Sequence, residues 1–114
     1  PAKPGVEHRA VSRAKEVLQA RLAEPPSLEE LAAAVNLSPF HFARVFQRAT
    51  GMPPHTWLMQ QRIAHARALL QQGCLPLQVA TQLGFADQSH LNRQFKKVYG
   101  VGPGAYRLAS VGTP

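Results

Sequence analysis

Between positions 88 and 97 the chain reads Gln-Ser-His-Leu-Asn-Arg-Gln-Phe-Lys-Lys. On a helix of 3.6 residues per turn, Gln88, Ser89, Asn92, Arg93 and Lys96 share one side and Leu91 and Phe95 the other. The polar side holds hydrogen-bonding groups. Gln and Asn amides pair bidentately with adenine edges, and a guanidinium pairs with guanine O6 and N7. Lys96 and Lys97 suit phosphate. A second such side runs through Pro39, Phe40, Ala43, Arg44, Gln47 and Arg48. There Arg44 is the candidate for guanine. Phe40 either stands outward, where it could meet a thymine methyl, or belongs to the core.

Other chemistries lack material. His8, His41, His55, His65 and His90 are scattered, with no His-Glu-x-x-His. Asp87 is the one carboxylate after position 30, so acid–base pairs and metal cages are not expected. Cys74, the single cysteine, reads as a small packed residue between Gly73 and Leu75. It excludes a disulfide framework and the usual zinc spacings, and suits a reducing cytoplasm. Neither a cofactor nor a metal is expected, nor an enzyme. No apolar run nears the ~18 residues of a membrane span.

The charge points to a polyanion. Residues 1–30 balance five basic groups, Lys3 among them, against five acidic ones. From Leu31 onward there are eight basic groups and one acidic, so the whole net charge of +7 lies there.

Helical spacing positions these residues, and strand alternation is nearly absent. Val11, Ala14, Leu18 and Leu22 predict an amphipathic helix over 6–23, stopped by Pro25-Pro26. Ser27-Leu28-Glu29-Glu30 is a capping box opening a short helix to about Val35. Ser38-Pro39 starts the next helix, which should bury Phe42, Val45, Phe46 and Ala49 and close at Gly51. Pro54 opens a helix over 54–72 with Met59, Ile63, Ala66 and Leu70 inward, ended by Gly73. A short helix from Pro76 ends near Gly84. Asp87 caps a helix over 88–99 that should bury Leu91, Phe95 and Val98. Pro103 begins a last one through Leu108. The expectation is an all-α fold of seven helices.

The chain also repeats itself. At an offset of 48, Leu31, Ala32, Val35 and Leu37 match Val79, Ala80, Leu83 and Phe85. At 49, His41, Phe42, Arg44 and Phe46 match His90, Leu91, Arg93 and Phe95, continuing through Arg48/Lys97, Gly51/Gly100, Pro54/Pro103 and Trp57/Tyr106. Each copy is a short helix, a turn and a second helix, which describes a helix-turn-helix. The expected organisation is one domain over 1–114, with a first subdomain at 6–52, a linker helix at 53–73 and a second subdomain at 74–110. A linker of about 19 residues is roughly 28 Å long, near the ~34 Å repeat of the major groove. One copy of the chain on a bipartite, non-palindromic duplex site is therefore expected. Arg62 and Arg67 on the linker are either phosphate contacts or plain surface.

Gly84-Phe85-Ala86-Asp87-Gln88-Ser89-His90-Leu91-Asn92-Arg93-Gln94-Phe95-Lys96-Lys97, with Gly100, Pro103 and Tyr106-Arg107, closely resembles the C-terminal signature of the AraC/XylS family of transcription regulators. Ser27 to Ala32, then Ser38, Phe42, Arg44, Phe46 and Gly51, resemble that family's first helix-turn-helix. The resemblance spans about residues 8–109. It implies two subdomains joined by a long central helix, with both reading helices in successive major-groove segments of double-stranded DNA. The matching base-reading positions are Phe40, Ala43 and Arg44, then Gln88, Ser89, His90, Asn92 and Arg93. Ser38, Arg48, Lys96 and Lys97 are the candidates for phosphate. Gly102 and Pro53 depart from the usual Ser or Thr before the proline, so two helix starts lose a side-chain cap. Many members carry an effector or dimerisation domain. None is encoded here, as expected of a piece of a longer protein. The rival reading is a protein-interaction module, for example one touching RNA polymerase.

Overall fold

A computed structural model describes residues 4–112; Lys3 and the terminal Thr113-Pro114 lie outside the described residues. Seven helices follow in order: α1 (Pro4–Ala20), α2 (Leu28–Ala34), α3 (Pro39–Thr50), α4 (Pro54–Gln71), α5 (Pro76–Leu83), α6 (Gln88–Tyr99) and α7 (Pro103–Val111). No strand forms among the described residues. The all-α expectation of seven helices holds, in the order read from the sequence.

The helix ends have local causes. Ser27 Oγ accepts from Glu30 N–H at 3.1 Å, and Glu30 Oε1 accepts from Ser27 N–H at 3.0 Å, completing the capping box of α2. Ser38 and Asp87 cap α3 and α6 by accepting from His41 and His90 N–H. Gly51 and Gly100 end those helices at φ of 82° and 79°, left-handed conformations that favour glycine. Gln78 Oε1 accepts from Leu75 N–H at α5; leucine offers no acceptor, so half a box forms. The start at Gly102 lacks a side-chain cap, as its sequence implies.

The chain divides into two compact units between Met59 and Gln60, inside α4 rather than at its ends. In the first unit α3 packs on α1 and α2. Val11, Ala14, Leu18 and Leu22 are buried with Leu31, Phe42, Val45 and Phe46, and Trp57 meets Phe46 edge-on at 5.9 Å. In the second unit α6 packs on α5 and α7. Ile63, Ala66 and Leu70 are buried there with Val79, Leu83, Leu91 and Phe95. Phe95 also packs on Tyr99 and Tyr106.

Four expectations need correction. α1 stops at Ala20, not 23; Pro25 has no N–H to offer the Arg21 carbonyl, and it restricts the backbone of Glu24. Leu22 nevertheless stays buried. α7 runs on to Val111. Ala49 and Val98 are exposed, not core. These two occupy the same place in the repeat: the last turn of each second helix is uncovered. Met59 is only half-buried.

Removal of the Ser27 hydroxyl should be felt directly. Ser27→Ala is expected to cost about 1 kcal/mol of stability at neutral pH, measured by urea denaturation. The hydrogen bond from the Ser27 backbone, then that with its hydroxyl, lowers the pKa of Glu30 from its ordinary 4.5. A lowered carboxylate stabilises above that value and loses its effect as pH falls through the folded one. The difference between Ser27→Ala and the natural chain should therefore narrow in acid.

Candidate nucleic-acid interface

In the first unit, the three inward residues of α3 leave its opposite side to solvent. Phe40 is 74% exposed, so its outward reading is the one the fold adopts. Arg44, one turn on, lays its guanidinium carbon 4.7 Å from the Phe40 ring centroid, a cation–π contact. Arg48 is exposed, with one terminal nitrogen 4.0 Å from Glu7 Oε2 on α1. His41 Nε2 lies 3.4 Å from the same oxygen. Ala43 is half-buried and borders an apolar cleft of about 400 Å³ with Leu18, Leu28, Leu31, Pro53 and Leu58. Ser38 Oγ accepts from His41 N–H and keeps its own hydrogen to donate.

In the second unit, burial of Leu91 and Phe95 turns Gln88, Ser89, Asn92, Arg93, Lys96 and Lys97 to solvent together. Arg93, Lys96 and Lys97 border one open hollow with Gln94. The side is cationic and rich in donors, with Asp87 as its cap.

Three candidates are placed otherwise than expected. The His90 ring packs edge-on against Phe85 at 5.4 Å, and its Nδ1 is shut from solvent without a hydrogen-bond partner among the described residues. The ring is half-buried, with that nitrogen turned away from the outer side of α6. Arg62 is 6% exposed, so it is not plain surface. Its guanidinium carbon lies 5.9 Å from the Phe85 ring centroid, and burial lowers its pKa. Arg67 is exposed but engaged: Nε donates to Tyr106 Oη at 3.0 Å, and the guanidinium lies over Tyr99 at 5.5 Å. Gln71 Nε2 donates to the same phenol oxygen at 2.7 Å. Sequence spacing does not connect Arg67 to tyrosines 32 and 39 residues away, so this cluster was not foreseen. Neither was the contact of Glu7 with α3.

Among the described residues no group of three His, Cys, Asp or Glu could hold a metal. Among the described residues no helix is long and apolar enough to cross a membrane.

Two short helices with tight turns, each leading into a second helix with a polar outer side, define a helix-turn-helix protein. The family profile described as "Helix-turn-helix domain" matches residues 31–109. The DNA-binding domain of AdpA, solved in complex with a target DNA, superposes with a TM-score of 0.80 at 32% identity, covering 88% of this chain and 91% of that one. An AraC-type regulator from Chromobacterium violaceum shares the fold at a TM-score of 0.84 and 23% identity, covering 94% and 96%. The regulatory protein PocR of Salmonella typhimurium is 33% identical over 98 residues, which is 85% of this chain and 32% of that protein. The transcriptional regulator GbdR of Pseudomonas aeruginosa is 32% identical over 88 residues, 76% of this chain and 24% of that one. The chain belongs to the AraC-type helix-turn-helix family, whose members are DNA-binding domains of transcription regulators. It spans about a third or less of the length of these curated relatives.

Two outcomes follow from the side-chain placements. Phe40→Ala should leave thermal stability within about 0.5 kcal/mol of the natural chain, because the ring is outside the core. The hydrogen bond from Arg67 lowers the pKa of Tyr106. Absorbance titration of the phenolate should find Tyr106 ionising below the ordinary phenol range, and Arg67→Gln should raise it.

Proposed function

We propose that this chain reads a bipartite duplex site as a single copy, with α3 and α6 in successive major-groove segments. The carrying observation is that Arg44 and Arg93 occupy equivalent positions on the second helices of two helix-turn-helix units, and both are exposed. Each is followed one turn later by an exposed cation, Arg48 or Lys97. A guanidinium reaching guanine and a cation a turn away on phosphate is an arrangement suited to reading with anchoring.

On this reading Phe40, Ala43 and Arg44 meet bases in the first half-site. Gln88, Ser89, Asn92 and Arg93 meet those of the second. Ala43 can offer only its methyl. Ser38, Arg48, Lys96 and Lys97 contact phosphates. Arg67 is the weakest phosphate candidate, since a phosphate would compete with Tyr106 and Tyr99. The chain acts by binding, not catalysis, in the cytoplasm, within a longer regulator whose effector or dimerisation part lies outside this segment. A contact with RNA polymerase is compatible with this role. A role in protein contact alone leaves the donor-rich side of α6 without a partner.

The test is a selection from randomised duplex DNA, then binding of the chosen site across a salt series. Affinity should fall steeply with salt, because phosphate contacts release counterions. Footprints should show two protected patches about one helical turn apart. Arg93→Ala should cost about 1–3 kcal/mol on the chosen site and relax one base preference. Lys97→Ala should weaken all sequences by a similar factor and reduce the salt slope by about 1. Salt-independent binding, or none, would return the reading to a protein-interaction module.

A further inference from the structure

We infer that Arg62 is a positioning residue for the second reading helix, acting through the ring of Phe85. The inference rests on reading α6 as that helix. Among the described residues Arg62 is the one charged side chain that is buried. Burying a guanidinium costs several kcal/mol unless geometry and partners offset it, and an apolar residue of similar volume is often as stable.

The repeat supplies the comparison. Its offset of 48 extends back from α2 and α5 into α1 and α4: Val11, Ala14, Leu18 and Leu22 fall on Met59, Arg62, Ala66 and Leu70. Arg62 thus stands where the first copy has Ala14, a fully buried methyl. Phe85 stands where the first copy has Leu37. One copy of the unit folds with an alanine and a leucine, so the architecture does not require a charge at this place. The second copy puts a cation there and an aromatic ring in its reach.

That ring lies in the turn of the second helix-turn-helix. Phe85 follows Gly84, is itself 6% exposed, and donates its N–H to Ala80 O at 3.0 Å. The Arg62 guanidinium carbon lies 5.9 Å from the ring centroid, and the His90 ring meets Phe85 edge-on at 5.4 Å. His90 N–H donates to Asp87 Oδ1 at 2.8 Å, closing the first turn of α6. A leucine offers neither a cation nor a neighbouring ring a face to hold. An aromatic ring with a cation on its face and another ring at its edge is held in one plane. The chain Arg62, Phe85, His90 therefore sets the angle at which α6 leaves the turn, and with it the aim of Gln88 and Ser89. The first turn of the first copy's second helix presents Phe40, whose apolar contact tolerates a looser aim than a bidentate amide.

The experiment compares Arg62→Met with the natural chain on the selected site and on mixed-sequence duplex. The variant should keep its helical circular dichroism. It should lose roughly tenfold in affinity for the selected site, the size of one good base contact. Its affinity for mixed DNA and its salt slope should not change. A repeated selection should show relaxed preference only at the bases read by the first turn of α6. An unchanged ratio of selected to mixed affinity would overturn the inference. So would a weakening of all sequences with a smaller salt slope, which marks a phosphate contact. If Arg62→Met does not fold, Phe85→Leu, which restores the first copy's residue, is judged by the same criteria. Should that also fail to fold, the pair serves folding alone and the inference is overturned. Absence of any selected site for the natural chain would instead remove the proposed function.

Discussion

Burial of aromatic rings on one side of each second helix is the constraint from which the rest proceeds. Phe42 and Phe46 in α3, and Phe95 in α6, are fully buried. Fully burying such a side chain is worth about 1.5–3 kcal/mol, more than any single surface contact nearby contributes. These rings hold the rotation of each helix about its own axis. Once the rotation is held, the outward residues are no longer a matter of choice. Arg44 and Arg93 face solvent because Phe46 and Phe95, two positions later, cannot.

The two copies spend this arrangement differently. The first presents an exposed ring with a guanidinium stacked on it, and an arginine near Glu7. Among its base-reading candidates Arg44 alone offers directional hydrogen bonds, since Ala43 and Phe40 have none. The second presents two amides, a hydroxyl and a guanidinium, flanked by Lys96 and Lys97. Around it lies more polar support: Arg62 beneath the turn, and Arg67 and Gln71 on the Tyr106 phenol oxygen. Hydrogen-bond reading depends on angle as well as distance, so a donor-rich helix has more to gain from such bracing than an apolar one.

Much of this was legible in the residues. The bounds of α6 follow from Asp87 and Gly100, whose capping roles are local chemistry. The capping box at Ser27 and Glu30 is equally local. Ala49 and Val98 were misread because periodicity identifies a face but not how far its covering extends. His90 was assigned outward through family resemblance, while its ring faces Phe85. Arg62 was misread because an arginine among glutamines looks like surface. The available signal was its register with Ala14 in the repeat.

By itself the sequence determined the kind and order of the helices, their caps, the duplication and the sign of the charge. All of these depend on neighbours within a few residues or on counting. Which arginines stay free to meet a partner depended on contacts between residues 23 to 39 positions apart, such as Arg62 with Phe85 and Arg67 with Tyr106. Such pairs meet only once helices pack, because their energies come from burial and ring geometry that no local spacing encodes. Tertiary structure alone separated Arg62 and Arg67, held against rings distant in sequence, from the exposed cations of α3 and α6.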